Sequence, residues 1–134
     1  MDALLYRALT TDGCVMVAHR AAFEVVCLMA RRPEWTQLIF DKLDSGEIYC
    51  TLMADKLIRI GRGDRREGWG LDDCMQYWGL PNVPDKESWW RLRYGLLYNT
   101  PCELWPQEAV DYAIGDVCVR DLYRVQQDLS LIHI

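Results

Sequence analysis

The sequence predicts an α/β fold, a parallel sheet layered with helices, and three observations predict it. Cys14-Val15-Met16-Val17-Ala18 is an unbroken apolar run of strand length that leads at once into a helical pattern. Ile48-Tyr49-Cys50-Thr51 repeats the arrangement, a short strand running straight into a second helix. Strand, helix, strand and helix in succession is the pattern of a parallel layer. Finally, a long amphipathic stretch opens at Pro106, where a missing N–H loses no bond in a first helical turn.

Each element has its own marks. Asp2 to Thr10 reads as a helix with Leu4, Leu5, Ala8 and Leu9 on its buried side, ended by Thr11-Asp12-Gly13. The run Cys14 to Ala18 lacks alternation, which places it inside a sheet and covered on both faces. His19-Arg20 leads into a helix from Ala21 to Arg31, with Phe23, Val26, Cys27 and Ala30 toward the core; Pro33 stops it. Glu34 to Phe40 is a short amphipathic helix, and Asp44-Ser45-Gly46 is a turn. The helix after Thr51 has Leu52, Leu57 and Ile60 as its apolar positions.

Gly61 to Gly70 is a charged, glycine-punctuated loop, and Leu71 to Trp78 is a helix closed by Gly79-Leu80-Pro81. Asp85 to Tyr98 mixes Trp89, Trp90 and Tyr94 with Arg91 and Arg93. The helix from Pro106 is expected to run unbroken to about Leu129. Val110, Ile114, Val117, Leu122, Val125 and Leu129 form one broad apolar side, and Tyr112, Asp116, Val119 and Tyr123 a separate stripe. One domain over residues 1–129 is implied, with 130–134 an apolar tail that has no cap and no assigned role.

Composition narrows the function. With 51% hydrophobic and 26% charged residues the chain is globular rather than disordered. A net charge of −5 argues against a module that grips nucleic acid by bulk charge, leaving room for a local basic groove or an acidic metal site. No apolar run is long enough to span a bilayer and no signal peptide opens the chain, so a cytoplasmic location without membrane contact is expected. The six cysteines are scattered singly with no CxxC pair, which points to buried free thiols in a reducing cytosol. His19 and His133 are the only histidines, so any metal would sit on carboxylates.

Two places carry chemistry. Tyr112 and Asp116 are four residues apart, so a phenol and a carboxylate leave one face of one helix. Glu24 sits on the first turn of the helix that follows the first strand, where α/β sheets place their ligand sites. Arg59, Arg62, Arg65 and Arg66 concentrate positive charge that could meet the phosphates of a single strand, with Trp69 stacking on a base.

Taken together, Ala18-His19-Arg20-Ala21-Ala22-Phe23-Glu24, Tyr112-Ala113-Ile114-Gly115-Asp116, the flanks Trp105-Pro106 and Glu108-Ala109, and Tyr123 with Gln126 resemble a known family. It is the 3′–5′ exonuclease (proofreading) domain of family A DNA polymerases, especially phage-type ones, in the ribonuclease H-like superfamily. The likeness runs over roughly Ala3 to Gln127, with Arg20 standing where the family's second motif has asparagine. It implies an incomplete ribonuclease H-like fold, with the central strands and surrounding helices present and the first strands missing. The family's first motif, Asp-x-Glu on an early strand, would lie before Asp2, so the chain is expected to be a fragment with one sheet edge open and poor activity of its own. By the same resemblance Tyr112, Asp116 and Glu24 would be catalytic, Asp116 and Glu24 would hold Mg²⁺ or Mn²⁺ of a two-metal site, and His19, Arg20, Phe23, Arg62, Arg65 and Arg66 would contact nucleic acid. The implied partners are a single-stranded DNA 3′ end, the missing amino-terminal segment and a downstream polymerase domain. The rival expectation is a non-catalytic truncated α/β module that binds nucleic acid or another partner.

Overall fold

The computed structural model describes residues 2–64, 67–81 and 89–132. In order they form α1 (Asp2–Thr10), β1 (Met16–Ala18), α2 (Ala21–Arg31), a 3-10 turn (Pro33–Trp35), α3 (Thr36–Asp44), β2 (Ile48–Cys50), α4 (Thr51–Gly61) and α5 (Leu71–Tyr77). Three further 3-10 turns (Trp89–Leu92, Tyr94–Leu97, Cys102–Leu104) lead to α6 (Gln107–Asp116) and α7 (Arg120–Ile132). The fold is mixed α/β, mostly helical, with one small parallel sheet in which Met16, Val17 and Ala18 face Ile48, Tyr49 and Cys50.

The expected strand at Cys14 to Ala18 is shorter, Met16–Ala18, and among the described residues it has one neighbour, β2, rather than two. Its residues are half-buried, not enclosed on both faces. Upstream the chain is held instead by Lys42, whose buried ammonium donates to the carbonyls of Thr11 (2.6 Å) and Cys14 (3.2 Å) and pairs with Glu47 at 2.7 Å.

The core beside the sheet is Leu9, Trp35 and Ile39, with Leu5, Met16, Val25, Leu28 and Ile48 packed against it. The expected inward face of α2 is rotated. Phe23 is 67% exposed and Val26 59%, with Cys27 and Ala30 also outside, while Ala21, Val25 and Leu28 turn inward. This helix is apolar nearly all round, so periodicity leaves its inner face open and packing on β2 and the Pro33–Trp35 turn decides it.

α4 is built the other way round from an ordinary amphipathic helix. Thr51, Asp55 and Arg59, four residues apart each time, are buried, while Leu57 and Ile60 are about two-thirds exposed. The polar stripe packs on α5 and α7, and a hydrogen bond from Gln126 Nε2 to the Thr51 carbonyl (2.9 Å) ties α7 to the start of α4.

The helix expected from Pro106 to about Leu129 is broken at 117–119 into α6 and α7. Gly115, Val117, Cys118 and Val119 are poor helix formers, and the break buries Val119 while leaving Val117 and Ile114 outside the apolar side predicted for them. α7 carries the helix past Leu129 to Ile132, into the expected tail; His133 and Ile134 lie outside the described residues. All six cysteines are free, and of them only Cys74 is buried. No helix among the described residues is long and apolar enough to cross a membrane.

Candidate functional site

Glu24 and Asp116 come from opposite parts of the chain and line the same cavity, of about 470 Å³. Glu24 projects from the first turn of α2, just past the carboxyl end of β1, and Asp116 is the last residue of α6. Both are exposed. The walls between them are mainly apolar, with His19 at the strand end and Arg31 in the last turn of α2.

The two acids differ in their electrostatic setting. Glu24 faces the positive end of its helix, a favourable place. Asp116 stands at the negative end of α6, whose last turn holds no basic residue. A cation beside a carboxylate is favoured at that end of a helix.

Tyr112, one turn before Asp116, is half-buried, and the Asp116 carboxylate acts on its hydroxyl. Burial and then the neighbouring Asp116 carboxylate push its phenol up to about 12, so the hydroxyl stays protonated. Its ring packs at 5.8 Å on Tyr94, and Tyr94 at 5.9 Å on Trp105, whose indole N–H donates to the Thr100 carbonyl at 2.9 Å. This aromatic row fixes the side of α6 that carries the pair.

His19 is committed internally. Its Nε2 lies 3.0 Å from the Trp69 carbonyl, which only accepts, so the proton sits there and Nδ1 accepts from the Thr51 hydroxyl at 3.1 Å. Burial lowers its pKa, outweighing the Trp69 carbonyl that favours the charged ring. Arg20 is exposed, with a left-handed backbone (φ 64°), and Phe23 is exposed beside it. The Arg62 guanidinium lies 5.6 Å from the Trp78 ring; Arg65 and Arg66 lie outside the described residues.

Arg59 is not part of any phosphate-facing loop. It is 2% exposed, lies 3.2 Å from the Asp55 carboxylate, donates to the Gly68 carbonyl at 2.8 Å and is sandwiched between the rings of Trp69 (4.1 Å) and Tyr77 (4.4 Å). Asp55, fully buried, also accepts from Trp78 Nε1 (2.6 Å) and Cys74 Sγ (3.2 Å). That thiol is pushed up to about 12 by burial and its carboxylate partner. This buried cluster was missed by sequence reasoning, although the spacing of Thr51, Asp55 and Arg59, and of Cys74 and Trp78, was there to be read as facing polar stripes.

As a metal centre the site offers two hard oxygen donors, chemistry suited to Mg²⁺ or Mn²⁺. Among the described residues no group of three or more histidines, cysteines or acids is arranged to hold a metal. Two carboxylates therefore fit part of a metal site and not a complete one. No family model, curated protein or solved structure matches this chain.

Proposed function

We propose that the chain is part of a metal-dependent 3′–5′ exonuclease domain of ribonuclease H-like fold, acting on DNA 3′ ends, and that it holds the half of the site made by Glu24, Tyr112 and Asp116. The observation that supports this most is that Glu24 and Asp116, from two separate motifs, line one cavity beside β1, with Tyr112 one turn before Asp116. Spacing along the chain alone does not bring them there.

Asp116 and Glu24 would hold Mg²⁺ or Mn²⁺, which when bound supplies an activated water and neutralises charge on the phosphate. The rest is the protein's own. Tyr112 keeps its proton and orients what lies beside Asp116 without acting as a base. Exposed Phe23 offers a face for a terminal base, and Arg20 a charge for a phosphate. His19, with both ring nitrogens engaged, shapes the strand end instead of touching DNA. Two carboxylates leave the cation short of ligands, so the isolated chain is expected to be without appreciable nuclease activity.

Calorimetric titration with Mn²⁺ tests the half-site. Weak uptake that disappears in Asp116→Ala supports it; no uptake, or uptake unchanged by the substitution, overturns it. Steady Mg²⁺-dependent shortening of a labelled single strand would overturn the expected inactivity.

The second reading is a non-catalytic nucleic-acid-binding or interaction module. It is favoured by the apolar surface the chain leaves outside, with Phe23, Val26, Leu57 and Ile60 each more than half exposed.

A further inference from the structure

We infer that the cavity is a binding site for a small organic cation, an amine carried on an apolar body. The hydrocarbon sits on the cavity floor and the ammonium at the mouth, beside Glu24 and Asp116. The inference concerns the same carboxylates as the metal reading but does not rest on it.

Burial grades the lining from inside to outside. Leu9 is 3% exposed, Ile39 0% and Val119 8%, so these three form the floor. Glu24, Cys27, Arg31 and Asp116 line the same cavity and are exposed, so they stand at the mouth. Charge is therefore confined to the end that solvent reaches. His19 also lines the cavity, but both its ring nitrogens are engaged by Thr51 and Trp69. Water inside meets few partners there, and an apolar body displaces it at little cost. At about 470 Å³ the void falls within the roughly 300–1,000 Å³ of small-molecule sites, which are apolar with a few orienting polar groups.

Charge then selects the head group. Arg31 already has a partner, since it lies 3.4 Å from the Asp2 carboxylate. Neither Glu24 nor Asp116 is paired with a cationic side chain among the described residues. Asp116 also stands at the end of α6, whose last turn holds no basic residue. The mouth is thus negative, in a chain whose net charge is −5. An ammonium is attracted to it and a carboxylate repelled. An inorganic cation uses the mouth and leaves the floor empty, while a neutral hydrocarbon uses only the floor. An amine on an apolar body uses both.

The probes are octylamine, octan-1-ol, octanoate and butylamine, each titrated calorimetrically into the full chain in EDTA, below any micelle concentration. Two readouts locate the ligand: the Ile39 methyl signal for the floor, and the rate of maleimide alkylation at Cys27 for the mouth. Cys102, exposed and outside the cavity lining, is the control thiol. The expected result is saturable octylamine binding that shifts the Ile39 methyl and slows alkylation of Cys27 but not of Cys102. Octan-1-ol should bind about fivefold more weakly, the worth of partly exposed ion pairs, and octanoate more weakly still. Butylamine should bind on the order of a hundredfold more weakly than octylamine, since each buried methylene is worth about fourfold. No saturable binding, an unmoved Ile39 methyl or equal slowing at both thiols overturns the site. Equal affinity of octan-1-ol or octanoate overturns the cationic head, and equal affinity of butylamine overturns the apolar floor. Metal is absent throughout, so failure here leaves the Mn²⁺ result untouched, and failure of the Mn²⁺ titration leaves this one untouched.

Discussion

Three side chains report their surroundings directly. Tyr112 titrates near 12 instead of the ordinary 10.0 because burial and the Asp116 carboxylate both disfavour phenolate. In Asp116→Asn the second cause is gone, and an ultraviolet titration should find the Tyr112 midpoint moved back toward 10.0. His19 is held neutral by burial, so its folded pKa lies below the ordinary 6.5. The stability this contributes is complete above 6.5 and is lost as pH falls below that value toward the folded one. Urea midpoints should drop between about pH 7.5 and about pH 5, and His19→Gln should flatten that drop. Arg20 occupies the left-handed region, which costs a side-chain-bearing residue about 1 kcal/mol and asparagine less. Arg20→Asn should raise stability by roughly 0.5 kcal/mol in the same urea experiment.

At the scale of elements, α4 is the piece whose stability rests on pairing. Its buried face is Thr51, Asp55 and Arg59, and the Asp55 carboxylate gathers Arg59, Trp78 and Cys74 from two helices. Removing one member of a buried pair leaves the other charged and desolvated. Asp55→Ala should therefore lose about 3–5 kcal/mol of unfolding free energy, and the double change Asp55→Leu with Arg59→Met should lose less, because no charge is left stranded. Denaturant midpoints of the single and double variants measure the difference. The same element explains the apolar surface of the molecule. Because α4 turns polar groups inward, Leu57 and Ile60 are left outside. The break between α6 and α7 acts likewise, since it places Asp116 at a helix end instead of on the face of a continuous helix.

Over the whole molecule, an apolar core lies beside the short sheet and a polar cluster is buried on α4. Leu9, Trp35 and Ile39 lie beside β1 and β2, and Met75 and Leu122 are buried with the polar cluster of α4. The cavity lined by Glu24 and Asp116 also takes residues of α1, α2, β1 and β2.

The sequence by itself determined most element positions. α1 ends at the Thr11-Asp12-Gly13 turn and α2 ahead of Pro33, and β2 falls on its β-branched and aromatic run, because these signals are local. It also singled out Glu24, Tyr112 and Asp116 as candidates by residue type and spacing. Only the tertiary structure decided which way the helices face. α2 is apolar nearly all round and α4 carries both a polar and an apolar stripe, so neither has an inner face until its neighbours are in place. Tertiary packing likewise buried Arg59 against Asp55 and brought Glu24 and Asp116 to one cavity. Those outcomes are set by contacts between residues far apart in the chain, which local propensity does not encode.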